Sequence, residues 1–263
     1  EIKTLEQFYG LYYVSAKDKF ADKVIKLGAD IVMNTGKASD WEKNAPANEW
    51  IAIPTFEGTF DGDGHTIANF YHNTWEMFGG YNSGYSGTPN HYNDAKGLFG
   101  YVYNGTIKNL TLENFGFTSN HAATVNVGSL VGLNNGTIEN CFSNATIAGS
   151  SYISGGLVGR SAHYTIVKNC YYFGKTVGDP FVNSGGSWYD GKCSNNYYVS
   201  SVDDGFDFTT AITMEDVTSG KLAYMLGGAF GQNIDNGETA QSHPVISDAK
   251  VYYGYTICDE AQT

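Results

Sequence analysis

Two groups of aromatic side chains are the part of this 263-residue chain best suited to contact chemistry: Trp75, Tyr81 and Tyr85 in one stretch, Trp188 and Tyr189 in another. Flat rings bordered by amides and hydroxyls suit a neutral sugar surface, because sugar C–H groups pack on rings while hydroxyls find polar partners. The competing reading is that the rings cover one side of the fold. Bond-making chemistry has fewer footholds. Asp203, Asp204 and Asp207 form an acidic cluster, but a glycosidase needs two carboxylates converging at short range, and a solvated loop accounts for these three. Asp61-Gly62-Asp63-Gly64 lacks the length and closing Glu of an EF-hand and reads as tight turns. The six histidines are scattered, and none pairs at a ligand spacing. No Ser/His/Asp constellation or phosphate loop is present, so neither an enzyme, a metal nor a cofactor is expected.

Charge narrows the partners. Fifteen basic residues against 27 acidic ones give a net charge of −12, which disfavours nucleic acid, anionic membrane and acidic polysaccharide. Arg160 is the only arginine, so a bidentate carboxylate clamp is hard to build. That weighs against a lyase acting on uronates. No apolar run approaches the roughly 18–20 residues of a membrane-spanning helix, and no membrane insertion is expected. No secretory leader precedes Glu1, which reads as the start of a mature or excised chain.

What must position these residues is a repeat. Gly97-Leu98-Phe99-Gly100, Ser129-Leu130-Val131-Gly132 and Gly156-Leu157-Val158-Gly159 each lead into Thr-Ile-Lys-Asn, Thr-Ile-Glu-Asn or Thr-Ile-Val-Lys-Asn. Self-similarity near thirty residues signals stacked units, each too thin to bury a core alone. Asn69, Asn109, Asn140, Asn169 and Asn195 fall at one point of successive units, 40, 31, 29 and 26 residues apart. Two residues earlier stand Ile67, Ile107, Ile138, Val167 and Cys193, and one residue later Phe70, Leu110, Cys141, Cys170 and Asn196. An Asn between inward apolar residues suits a sharp corner, since Asn tolerates left-handed backbone, and stacked amides bond along a column. This is the pattern of an all-β parallel β-helix, its strands about 4.8 Å apart. The residue before each Asn (Ala68, Lys108, Glu139, Lys168, Ser194) points outward, with Lys, Glu and Lys alternating in the centre.

One domain over 1–263 is expected. Residues 1–23 form an N-terminal cap helix, opened by Thr4 as N-cap with Gln7 three residues on. Residues 24–205 form the coils, with an aromatic insertion at 71–96, and 34–48 is a polar loop. Residues 206–263 form a C-terminal cap, in which Thr213 opens a helix through Leu226 and a strand at 250–253 helps close the stack. Cys141, Cys170 and Cys193 read as small buried hydrophobes, with a Cys141–Cys170 disulfide as the alternative, and Cys258 is unplaced.

The three Gly-Leu-hydrophobic-Gly motifs, the lead-in Phe56-Glu57-Gly58-Thr59-Phe60-Asp61-Gly62-Asp63-Gly64-His65-Thr66-Ile67 and the tail Ser219 to Leu226 with His243-Pro244-Val245 resemble the GLUG-motif proteins of bacterial surfaces and secretions. The Ser129 start and the aromatic insertion depart from that pattern. The resemblance covers about residues 20–255. It implies a right-handed β-helix, secreted or cell-surface placement, membership of a larger surface protein, and no shared catalytic motif. The expected function is an adhesion or binding module for neutral glycan or host glycoprotein, contacted through Trp75, Tyr81, Tyr85, Trp188 and Tyr189. A polysaccharide lyase or glycoside hydrolase rests on fold analogy alone, and a non-binding structural stalk is the third reading.

Overall fold

The computed structural model describes residues 1–41, 43–72, 95–119, 126–149, 153–162, 165–176, 178–182, 193–200, 208–234 and 240–246. The chain is mostly β, and its long sheets are parallel. The main sheet runs Val24–Lys26, Thr59–Asp61, Phe99–Glu113, Val131–Ser143, Ile166–Tyr172, Ser194–Val199 and Thr209–Ile212, each strand hydrogen-bonded to the next. Two three-stranded parallel sheets flank it. One joins Tyr71–His72, Gly116–Ser119 and Thr146–Gly149; the other joins Ala95–Lys96, Asn126–Gly128 and Ile153–Gly155. Successive repeats therefore lie side by side in register, and the inward residues of every sheet share one apolar interior.

The corners follow from Asn chemistry. Asn109, Asn140, Asn169 and Asn195 have φ of 52°, 52°, 53° and 57°, the left-handed region that Asn enters at low cost. Their amides form a ladder. Asn140 Nδ2 donates to Asn109 Oδ1 at 2.9 Å, Asn169 to Asn140 at 3.2 Å, and Asn195 to Asn169 at 2.8 Å. At its start Asn109 Nδ2 donates to Asp61 Oδ1 at 3.0 Å. Burial works to raise the Asp61 carboxyl, but hydrogen bonds from Asn109, the Asp63 N–H and Lys108 outweigh it and hold the group below its usual range.

The expected register is right for the central coils and wrong for the first. Phe60, and not Ile67, pairs with Ile107, so that Phe60, Ile107, Ile138 and Val167 form the buried column. Asn69 belongs to a second corner. Ile67 pairs with Leu112, and Asn114 Nδ2 donates to Asn69 Oδ1 at 2.6 Å. The physical reason is the Asp63-Gly64 turn, with φ of 52° and 83°, which spends two left-handed residues where later coils use one Asn. Seven residues separate Phe60 from Ile67, whereas five separate Ile107 from Leu112.

With the register corrected, the outward charge column grows from three members to five. Lys26, Asp61, Lys108, Glu139 and Lys168 stand on consecutive strands. Lys108 reaches Asp61 at 3.3 Å and Lys168 reaches Glu139 at 2.7 Å. Surface pairs of this kind, here half-buried, contribute ~0–1 kcal/mol each, so their main effect is on register.

Helix α1 (Leu5–Ser15) is shorter than the expected 1–23. The Thr4 hydroxyl accepts from Gln7 N, and the Gln7 side chain accepts from Lys3 N, one residue before the expected partner. Phe8 and Leu11 enter the core, where Phe8 meets Trp50, Phe60 and Phe70. Past the helix, Phe20 and Asp22 adopt φ of 64° and 60° and turn the chain into the first strand.

At the other end Thr213 and Asp216 form a capping box for α2 (Met214–Thr218), and Gly220, at φ 84°, separates it from α3 (Lys221–Leu226) where one helix was expected. The expected cap would close the end of the stack. The described residues of 206–263 instead add one strand and then run back along its side. Leu222, Leu226 and Phe230 pack on Phe142, Tyr171 and Tyr197, an outward column on three adjacent strands. His243 continues to Glu113, at 3.2 Å from Nε2 to Oε1.

Cys141, Cys170 and Cys193 are buried free thiols, as the preferred reading of the sequence held, and Cys258 lies outside the described residues. Burial pushes the Cys170 thiol well up, and its neighbour Cys141 adds to the shift; burial also raises Cys193. A thiolate is the reactive species, so a maleimide at pH 8 should leave all three unlabelled until denaturant is added. Rapid labelling of any of them in the folded protein, located by peptide mapping, would contradict this burial.

Candidate functional site

The side chains expected to make contact (Trp75, Tyr81, Tyr85, Trp188 and Tyr189) lie outside the described residues, as do Asp203, Asp204 and Asp207. The borders of the expected insertion are different in kind. Tyr71–His72 and Ala95–Lys96 are strands of the two flanking sheets. Tyr71 is buried against Trp41, ring centroids 5.8 Å apart at 77°, so this aromatic is packing.

The described residues form one open groove of about 600 Å³ over the segment read as a bare polar loop. Met33, Asn34, Lys37, Trp41, Asn44 and Asn48 are among its lining residues. The second asparagine corner holds this segment on the stack. Asn34 Nδ2 donates to Asn48 O at 2.9 Å and to Asn69 O at 3.2 Å, while Asn34 Oδ1 accepts from Asn48 N at 3.2 Å. Asn114 receives Ala38 N on its Oδ1 at 2.7 Å and gives its Nδ2 to Gly36 O at 2.9 Å. Trp41 pins the middle. Its indole lies over Gly116, where an added Cβ would come within 2.5 Å of the ring. Hydrogen bonds thus hold Asn34, Gly36 and Ala38 in place, and the groove above them is open to solvent.

The chemistry on offer is polar, with no excess of either charge. The Asn44 amide and Thr35 hydroxyl are exposed at the groove, and Lys37 and Asp40 contribute one charge of each sign. Among the described residues no group of three His, Cys, Asp or Glu side chains is placed to hold a metal ion. Among the described residues two histidine–carboxylate pairs occur elsewhere. His65 Nδ1 lies 3.2 Å from Asp30 Oδ1 at an exposed corner. His243 spends Nε2 on Glu113 and faces the Tyr171 hydroxyl and Pro244 O with Nδ1, which ties down the C-terminal segment. Neither pair meets a serine hydroxyl or cysteine thiol among the described residues. The sequence held a signal for the groove, three Asn and a Trp between 34 and 48, but the misplaced Asn69 register hid the corner that organises it.

No family model matches the chain. Over 141 residues, 52% of its length, the sequence is 36% identical to halomucin of Haloquadratum walsbyi, and the match spans 1% of that protein. The fold resembles the crystal structure of a candidate immunoglobulin A1 protease from Bacteroides ovatus. That superposition has a TM-score of 0.50 at 15% identity and covers 95% of this chain and 92% of the other. At such identity the likeness concerns the fold alone. Among the described residues no helix is long and apolar enough to cross a membrane.

Proposed function

We propose that this chain is a right-handed parallel β-helix of the GLUG-repeat kind that serves as a binding or adhesion module of a larger secreted or surface protein. Its ligand class is neutral glycan or glycoprotein. The observation that carries the reading is the groove over residues 34–48, which offers amide and hydroxyl groups and, among the described residues, no group of three His, Cys, Asp or Glu side chains placed for a metal ion. The in-register parallel strands and the likeness in fold to the Bacteroides structure support the β-helix. The partial match to a protein named as a mucin supports surface placement. Proteolysis, in the name of the structural neighbour, is said of that protein, since a likeness at 15% identity concerns the fold alone. In this reading Trp75, Tyr81, Tyr85, Trp188 and Tyr189 extend the contact surface beyond the groove.

A glycan array on the unmodified protein tests the ligand class, followed by titration of Asn44→Ala, Trp75→Ala and Trp188→Ala against the best neutral glycan. Each variant is expected to bind 10–100-fold more weakly, about 1.4–3 kcal/mol, with its melting temperature unchanged. Loss of stability without any effect on binding would leave a structural stalk.

A further inference from the structure

Four Asn-x-Thr triplets stand in the chain, beginning at Asn104, Asn109, Asn135 and Asn144. An asparagine two residues before a threonine hydroxyl, with no proline between them, is the acceptor pattern for N-linked sugar. Such triplets also arise by chance, so the fold decides which side chain is free to carry an oligosaccharide. Three are engaged or half-buried. Asn109 spends Nδ2 on Asp61 and Oδ1 on Asn140 inside the corner ladder. The Asn144 Oδ1 accepts from Asn114 N at 2.7 Å, which ties neighbouring coils together. The side-chain oxygen of Asn135 is buried.

Asn104 differs in kind. Four steps lead from Val102 to Thr106, but three lead from Phe56 to Thr59 and three from Asn134 to Thr137, the matching stretches of the two adjacent strands. The first full coil therefore carries one residue more than its neighbours, and a bulge of this sort turns a side chain away from the ladder. Asn104 takes a left-handed φ of 52° and is exposed. Unlike Asn109, Asn140, Asn169 and Asn195, it makes no ladder bond to a neighbouring corner. Packing accounts for the next residue, since a Cβ on Gly105 would stand 2.9 Å from Gly58 O and 3.0 Å from Phe56 O, but it asks nothing of the Asn104 amide. Beside it the ring of Tyr103 is 41% exposed, a flat face on which a first sugar can rest.

We propose that Asn104 is an N-glycosylation site. Its Nδ2 attacks the anomeric carbon of an oligosaccharide on a lipid-phosphate carrier: the carbon–nitrogen bond forms, the carbon–oxygen bond to phosphate breaks, and the amide gives up one proton as the carrier leaves. The proposal rests on the secreted or surface placement above, since sugar of this kind is found on exported chains. A glycopeptide map of the protein from the cells and the medium of the organism that makes it is the test. Trypsin cuts after Lys96, Lys108 and next Arg160, which puts Asn104 on peptide 97–108 and the other three triplets on peptide 109–160. Sugar is expected on the first peptide and not on the second. Asn104→Gly, which suits left-handed backbone, and Thr106→Val, which keeps Asn104 but removes the hydroxyl, should each abolish it and leave the melting temperature unchanged. Extracellular protein with a bare peptide 97–108, or with sugar on 109–160, overturns the proposal and leaves the surface reading standing. Aspartate at 104 without sugar does the same and assigns the position to spontaneous hydrolysis at an Asn-Gly pair. Bare protein found only inside the cell overturns both.

Discussion

Asn140→Ala is expected to lower the stability of the fold by about 2–5 kcal/mol, and Asn140→Gly by only ~1–3 kcal/mol. Two separate losses make the first figure. At φ 52° alanine suffers the Cβ–carbonyl clash of left-handed backbone, roughly 1–2 kcal/mol. Removing the amide also leaves Asn109 Oδ1 without its donor and Asn169 Nδ2 without its acceptor, both partly buried, at ~1–3 kcal/mol. Glycine relieves the backbone and keeps only the second loss. Urea unfolding of the two variants beside the parent measures both. Equal losses would mean that the left-handed corner is not strained, and no loss in either would mean that the ladder contributes nothing.

The stack should also weaken in mild acid through His72. Its imidazole is fully buried, stacked on Phe117 at 5.3 Å between centroids, with Nδ1 bonded to Trp50 O and Nε2 without a partner among the described residues. Burial pulls its pKa down from 6.5 to about 4; the Trp50 carbonyl acts in the opposite direction, and the nearby Lys96 ammonium adds to the lowering. The sign follows from which state takes the proton. Between pH 6.5 and 4 the unfolded chain binds it and the folded one does not. The contribution of neutral His72 is therefore complete above pH 6.5 and declines as the pH falls, with a loss of about 3 kcal/mol by pH 4. Most carboxylates titrate below about pH 5, so the interval from 6.5 to 5 leaves the six histidines, and the difference between parent and His72 variant isolates this one. His72→Gln keeps an N–H for the Trp50 carbonyl and has nothing to titrate. Its stability should fall less steeply over that interval than that of the parent, and parallel slopes would reject the assignment.

Much of this architecture is legible in the chain because one residue type does one job at each corner. A left-handed corner between two inward apolar residues selects Asn, so Asn109, Asn140 and Asn169 reveal the register with their neighbours. Thr4 and Thr213 are legible for a similar reason, since a hydroxyl before a helix has a local partner. Where two solutions exist, the pattern misleads. Asp63-Gly64 turns the first coil as well as Asn does and displaced Asn69 by one corner. The course of the C-terminal segment was hidden because Phe142, Tyr171 and Tyr197 alternate with core residues, and alternation does not say what covers an outward ring. The groove depends on amides 35 and 76 positions apart (Asn34 with Asn69, Ala38 with Asn114), a separation that local periodicity cannot express. The aromatic loops carry no period at all, so the sequence points to them as candidates by composition alone.

The charge column Lys26, Asp61, Lys108, Glu139, Lys168 gives the stack a parity. A repeat can be gained or lost as a whole unit where corner and apolar column recur, as they do at Asn109, Asn140 and Asn169 with Ile107, Ile138 and Val167. Its outward charge, however, changes sign at every step. Excising the Glu139 coil would set Lys108 beside Lys168, and like charges facing each other across neighbouring strands are destabilising. Excising two consecutive coils would leave the alternation intact. A scaffold of this kind therefore tolerates growth and shrinkage by even numbers of coils more readily than by odd ones, and repeat counts in chains built on the same plan should favour steps of two.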